Sequence, residues 1–196
     1  GEVRCVHSGE TAKTMIETGH PLFFTVHAAS VFTVFSRLCD PSIGFTNETI
    51  TTPGFWQLIV YQALVPTLCA ECKLPAHGHI DNILEYVANR FSLETENMHV
   101  KRPGGCPKCN HTGIGGQEVV AEMLQPDRQL LELLRAHRTF DAEKLWRSRG
   151  DGRFDTPNMT GKTVFEHALY KAYLGLIDPR TVERFSAYDR FEILSY

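Results

Sequence analysis

Four cysteines occur as two C-x2-C knuckles, Cys69-Ala-Glu-Cys72 and Cys106-Pro-Lys-Cys109, separated by residues 73–105. The turn inside a C-x2-C pair brings two sulfurs within reach of one ion. Two such pairs supply the four soft thiolates that tetrahedral Zn2+ prefers. The second knuckle lies in Gly104-Gly105-Cys106-Pro107-Lys108-Cys109-Asn110-His111-Thr112-Gly113, where proline and the flanking glycines preset the turn and let backbone N–H groups point at sulfur. Two disulfides, or chance spacing among six cysteines, are the alternatives. Disulfides need an oxidising compartment, and Gly1-Glu2-Val3-Arg4-Cys5-Val6-His7 carries no apolar signal segment. The spacing favours a structural zinc site held by Cys69, Cys72, Cys106 and Cys109. Four protein thiolates leave no open position for water, so hydrolytic zinc chemistry is not expected. His77, His79, His99 and His111 flank the knuckles and read as surface residues, since four sulfurs already complete the site. Cys5 and Cys39 are left over and read as reduced, partly buried thiols.

The elements that must position these ligands belong to a chain of 196 residues, 42% hydrophobic and 22% charged, with a net charge of -3. That balance gives no global basic field for nucleic acid or an anionic membrane surface. No apolar run approaches the roughly 20 residues that span a bilayer, and the expected location is the cytoplasm. Ser8 to Thr18 reads as a helix with Ser8 as N-cap and Gly19 past its end. Pro21 to Val26 reads as a short strand buried on both faces. Val31, Val34, Phe35 and Leu38 have helical spacing, and Asp40-Pro41 stops that helix. An apolar helix is expected from about Phe55 to Val65. Between the knuckles, Ile80 to Phe91 suits a short helix. Gly113-Ile114-Gly115-Gly116 reads as a flexible exit, and Val119-Val120-Ala121 as a strand. Helices then follow over Pro126 to Arg138 and Asp141 to Arg149. Thr163-Val164-Phe165-Glu166 has capping-box spacing, Gly175 is a helix stop, and Asp178-Pro179 restarts a helix.

A second set of residues could act on a phosphate. Glu2-Val3-Arg4 is followed by Thr18-Gly19-His20 and Thr25-Val26-His27. Taken with the knuckles, this order resembles the C-terminal part of the type II secretion and type IV pilus assembly ATPases. Gly1-Glu2-Val3-Arg4 is similar to the end of that family's Walker B motif, and Thr18 to His27 to its His box. Gln62-Ala63-Leu64-Val65 and Gly105 to Gly113 resemble the runs around its two cysteine pairs. The resemblance is specific from Gly1 to about Leu124 and loose beyond it. Cys5 stands where the family has Asp, Ala28-Ala29 replaces Thr-Asn, and Ala63, Pro66 and Gln117 stand at arginine positions.

The resemblance implies an α/β chain, part of a RecA-like P-loop ATPase core with a tetracysteine zinc module and a helical C-terminal domain. The implied divisions are residues 1–65 (core), 66–116 (zinc module), 117–125 (return strand) and 126–196 (helical domain). It implies that Glu2 orients or activates water against a γ-phosphate, that His27 senses that phosphate, and that Arg4, His20 and Arg37 lie near the nucleotide. ATP and Mg2+ belong to the full-length protein. The implied setting is a homo-hexamer, cytoplasmic and peripheral to the inner membrane, docked on a platform protein or adaptor of a pilus or secretion machine. No G-x4-G-K-[ST] loop occurs, since Gly161-Lys162-Thr163 lacks the preceding glycine. The chain is therefore expected to be part of a longer protein and inactive in ATP hydrolysis by itself. A zinc-ribbon module binding nucleic acid through Lys73, Lys101, Arg102 and Lys108 is the alternative, and an assembly domain without activity is a third reading.

Overall fold

The computed structural model describes residues 1–194 of a mixed α/β chain. Its order is α1 (Val6–Glu17), α2 (Thr33–Leu38), α3 (Asn47–Ile50), β1 (Ile59–Leu68), β2 (Leu74–Pro75), α4 (Asp81–Phe91), β3 (His99–Val100), a 3₁₀ turn (Pro107–Cys109), β4 (Ile114–Leu124), α5 (Arg128–Arg135), α6 (Thr139–Arg147), α7 (Val164–Tyr173) and a second 3₁₀ helix (Pro179–Arg184). No helix among the described residues is long and apolar enough to cross a membrane. The chain divides into two compact units, one of residues 1–61 and 123–149, the other of 62–122 and 150 onward.

The first unit buries Val31, Leu38, Ile50, Leu124 and Leu130 completely or nearly so. Phe32 packs edge-on against Trp146 at 5.5 Å, and the Trp146 indole donates its N–H to the Met123 carbonyl, anchoring α6 through the ring's one polar atom. The second unit centres on Val65, Leu84, Val87, Met98, Val120, Phe165, Leu169 and Ile177. Here α7 begins with the expected capping box: Thr163 accepts from the Glu166 N–H while the Glu166 carboxylate accepts from the Thr163 N–H at 2.7 Å. Gly175, at φ +67°, ends that helix, and Asp178 caps the 3₁₀ helix that follows.

Four local expectations need correction. The run expected as a helix from Phe55 to Val65 is strand β1, which pairs with β4. Its burial alternates, with Ile59 and Val65 inward and Val60 and Leu64 about half exposed, so apolar residues on both faces hid a period of two. Pro21 to Val26 is extended but not buried on both faces. Leu22, Phe24 and Val26 face the core while Phe23 is 91% exposed, and a parallel bridge between Thr25 and Glu2 ties the segment to the first residues of the chain. Helix α1 starts earlier than Ser8, with Cys5 at its N-cap and Ser8 at the third helical position accepting the Cys5 N–H. Residues 114–116 are not a flexible exit but the start of β4. Gly115 lies so close to the first strand that an added Cβ would meet the Leu68 carbonyl at 2.9 Å.

Candidate functional site

The two knuckles converge. All four Sγ atoms of Cys69, Cys72, Cys106 and Cys109 lie within 4.8 Å of one another. Cys69 to Cys106 and Cys72 to Cys109 are each 3.9 Å, and Cys106 to Cys109 is 3.8 Å. With Zn–S bonds of about 2.3 Å, the edge of a tetrahedral ZnS4 unit is about 3.8 Å. The donor set and its dimensions therefore fit zinc. The thiols are too far apart for disulfides, in which S–S is about 2.0 Å. None of the flanking histidines joins this cluster: His77 meets the Thr95 hydroxyl and His99 the Asn97 carbonyl.

Local backbone chemistry builds the second knuckle. Pro107 opens the 3₁₀ turn, and Asn110 and His111 both take positive φ to reverse the chain. That reversal aims the N–H groups of Cys106 and Gly113 at Cys109 Sγ, each at 3.2 Å. These two donors, the Cys106 N–H foremost, overcome burial and hold the Cys109 thiol down at about 6, so it is ready as a thiolate. Burial and the neighbouring sulfurs push Cys72 the other way. Four thiolates crowded together need a cation among them, and that opposition is what a divalent ion removes. The Cys69 N–H bonds the Gly113 carbonyl at 3.0 Å, joining the knuckles. Beyond them, β2 pairs antiparallel with β3, Leu74 opposite Val100.

Gly105 permits this closure. It sits at φ +52°, and a Cβ there would lie 2.5 Å from the Gly113 nitrogen and 2.8 Å from Cys109 Sγ. Gly105→Ala is expected to strain the knuckle by about 1–3 kcal/mol, which corresponds to roughly a five- to 150-fold loss of zinc affinity. A competition titration against a chelator reads this directly. Unchanged affinity would show that the turn relaxes without the glycine.

The C-terminal segment reaches the same region, a feature with no signal in sequence spacing. Leu68 N–H donates to the Leu176 carbonyl, Lys73 Nζ to the Gly175 carbonyl at 2.8 Å, and Lys101 N–H to Asp178. The close approach explains Gly175 beyond its φ, because a Cβ there would meet the Asn97 carbonyl at 2.4 Å.

The second residue set is partly assembled. Thr25 N–H bonds the Gly1 carbonyl and Val3 N–H the Thr25 carbonyl, so Glu2 and the Thr25–His27 segment run side by side. Glu2 lies 3.4 Å from His27 Nε2 and 3.9 Å from Arg4. His27 is 93% exposed, so this contact contributes at most a fraction of a kcal/mol to stability and leaves both groups open to a ligand. His20 and Arg37 are engaged locally instead, His20 with the Thr18 hydroxyl at 2.9 Å and Arg37 with Asp40 at 3.8 Å. Lys162, in the Gly-Lys-Thr triplet, is 3% exposed and spent on Asp151 and Thr156, at 3.1 and 3.0 Å.

A sequence model described as "Type II/IV secretion system protein" matches residues 1–168. The chain belongs to that family. Among curated relatives, it is 31% identical over 134 residues to the type II secretion system ATPase E of Vibrio cholerae, covering 68% of this chain and 25% of the relative. It is 32% identical over 130 residues to the type II secretion system protein E of Dickeya dadantii, covering 65% of this chain and 24% of that protein. The type IV pilus assembly ATPase PilB of Thermus thermophilus is 24% identical over 180 residues, covering 90% of this chain and 18% of the relative. The chain thus spans about a quarter or less of the length of the relatives it matches.

Proposed function

We propose that this chain is the C-terminal part of a hexameric ATPase that powers type IV pilus assembly or type II secretion. The observation that carries the reading is the placement of Glu2 beside His27, 3.4 Å apart at an exposed parallel bridge, in a chain of this family. In this reading residues 1–65 complete a RecA-like core, residues 66–116 form the zinc module, residues 117–125 return to the core and residues 126–196 form the helical region. Glu2 orients or activates the water that attacks a γ-phosphate, and exposed His27 senses that phosphate, with Arg4 alongside. His20 and Arg37 approach the nucleotide only after leaving Thr18 and Asp40.

Cys69, Cys72, Cys106 and Cys109 hold a structural zinc ion, which keeps residues 66–116 in shape as a docking module for an inner-membrane platform protein or adaptor. The protein works in the cytoplasm, against the inner membrane. Phosphoryl transfer depends almost wholly on positioning the phosphates, which a glycine loop and its lysine supply. The nearest sequence fragment to such a loop places its lysine in an internal ion pair. The 196-residue chain alone is therefore expected to give no saturable ATP hydrolysis above background. Turnover by the purified chain that Glu2→Gln abolishes would sink the claim of inactivity and show that a phosphate site exists within these residues.

A further inference from the structure

A pocket of about 360 Å³ lies where the end of β1, the Lys101 segment and the 3₁₀ helix Pro179–Arg184 meet, within the second unit. Its charged lining is Lys101, Arg180, Arg184 and Asp178. Asp178 is buried and already saturated, accepting from the N–H groups of Lys101 and Arg180 at 2.9 and 3.0 Å and from Arg180 Nε at 2.8 Å. One terminal nitrogen of Arg180 also donates to Asp178. The buried carboxylate thus clamps one edge of the guanidinium, and the remaining donors of the five on an arginine are left for a ligand. Asp178 offsets Arg180 alone. Among the described residues, Lys101 and Arg184 have no carboxylate partner, so the lining keeps a surplus of two positive charges.

Thr67 and Thr181 also line this space, and Pro66, Leu68 and partly exposed Ile114 give it an apolar wall. The volume is that of a small-molecule site and far larger than one oxyanion needs. A phosphate monoester carries about two negative charges at pH 7 and accepts through three oxygens, matching the two cations and the guanidinium of the lining.

We infer that this pocket binds a phosphate monoester attached to an apolar body, with Lys101 and Arg184 neutralising the phosphate and Arg180, held by Asp178, fixing its orientation. The source is either a soluble organic phosphate or a lipid phosphate headgroup. This inference does not rest on the ATPase reading, and its test involves no ATP.

Calorimetric titration of the zinc-loaded 196-residue chain with phenyl phosphate is expected to show one saturable site, with Kd in the range of about 1 mM or tighter. Lys101→Gln and Arg184→Gln, both at exposed positions, should each weaken binding about tenfold while zinc content stays unchanged. Arg180→Lys keeps the charge but loses the fork, and should also weaken it. Flotation with phosphatidylcholine vesicles containing phosphatidic acid separates the sources. Phenyl phosphate binding identifies a soluble ester as a sufficient ligand. Vesicle binding alone, lost in the Lys101→Gln/Arg184→Gln double variant, identifies the lipid headgroup. The inference is overturned if neither probe binds, if the double variant binds as wild type, or if benzoate binds as tightly as phenyl phosphate.

Discussion

Replacing Cys109 with serine is expected to abolish zinc binding and loosen the two knuckles and the β2–β3 pair, about residues 66–75 and 99–116, while α4 and the first unit keep their packing. Cys109 is the most heavily committed ligand. Its sulfur sits within 3.9 Å of both Cys72 and Cys106 Sγ and accepts two backbone N–H groups. A serine hydroxyl is a harder donor on a shorter bond, and it gives up its proton far less readily than a thiol whose sulfur accepts two N–H groups. Structural zinc in four-ligand sites contributes on the order of 10 kcal/mol of apparent binding energy. That energy orders the knuckles, because β2 and β3 are only two residues each and cannot hold them closed alone, whereas α4 stays packed through Leu84, Val87 and Phe91 on Phe165 and Leu169. Elemental analysis should find one zinc per wild-type chain purified under reducing conditions and none in the variant. Hydrogen exchange should then accelerate over residues 66–75 and 99–116 and stay slow at Leu84 and Val87 in α4 and at Val31, Leu38 and Leu130 in the first unit. Wild-type protein without zinc would refute the assignment of the site.

Lys162→Ala should cost about 2–3 kcal/mol, less than the roughly 3–5 kcal/mol for breaking a fully buried pair, because the Asp151 side chain is 26% exposed. For a chain of this size that is a fall in Tm of about 5–10 °C. The loop around it is a closed network. Asp151 accepts from the Thr156 hydroxyl at 2.6 Å, from the Arg153 N–H at 3.1 Å and from Lys162. Burial opposes ionisation of Asp151, but these donors win and hold its carboxyl at about 2, below the ordinary 3.8. A depressed carboxylate stabilises the fold above its unfolded value and loses that contribution as pH falls through the folded one. The wild-type advantage over Lys162→Ala should therefore shrink between about pH 4 and pH 2, but only by the part of the depression that Lys162 supplies, since the Thr156 and Arg153 donors stay in the variant. Thermal melts of both proteins across that range measure it, and a Tm change under about 2 °C at pH 7 would contradict the argument.

The chemistry-bearing residues were more legible in the sequence than the elements that carry them. Cysteine spacing alone predicts convergence of the four sulfurs, because a C-x2-C turn is a local device and tetrahedral coordination needs little else. The capping box at Thr163 and the glycine stop at Gly175 are local too, and both stand where their spacing put them. Strand β1 was illegible for a different reason. Val60 and Leu64 are apolar yet about half exposed, so hydropathy could not tell its two faces apart. The Glu2–His27 approach was suggested only by resemblance, since a bridge between residues 2 and 25 leaves no periodic trace. Contacts of Leu68, Lys73 and Lys101 with residues 175–178 are invisible for the same reason: each is one backbone or side-chain bond over a long sequence separation.

The division of the chain has a consequence for its synthesis. The first unit draws its core from residues 1–61 and from Leu124, Leu130, Leu131, Leu134 and Trp146. A growing polypeptide therefore cannot close that core until residue 149 has left the ribosome. By then residues 62–122 are also outside, still waiting for Phe165, Leu169 and Ile177. At about 5–20 residues per second, the early hydrophobic segments stay uncovered for several seconds. Metal capture by the two knuckles needs only residues 69–109, so it can precede both cores. Within these residues the cysteine cluster can therefore close before either core, and in the proposed reading a shortage of zinc during translation would leave both units waiting without it.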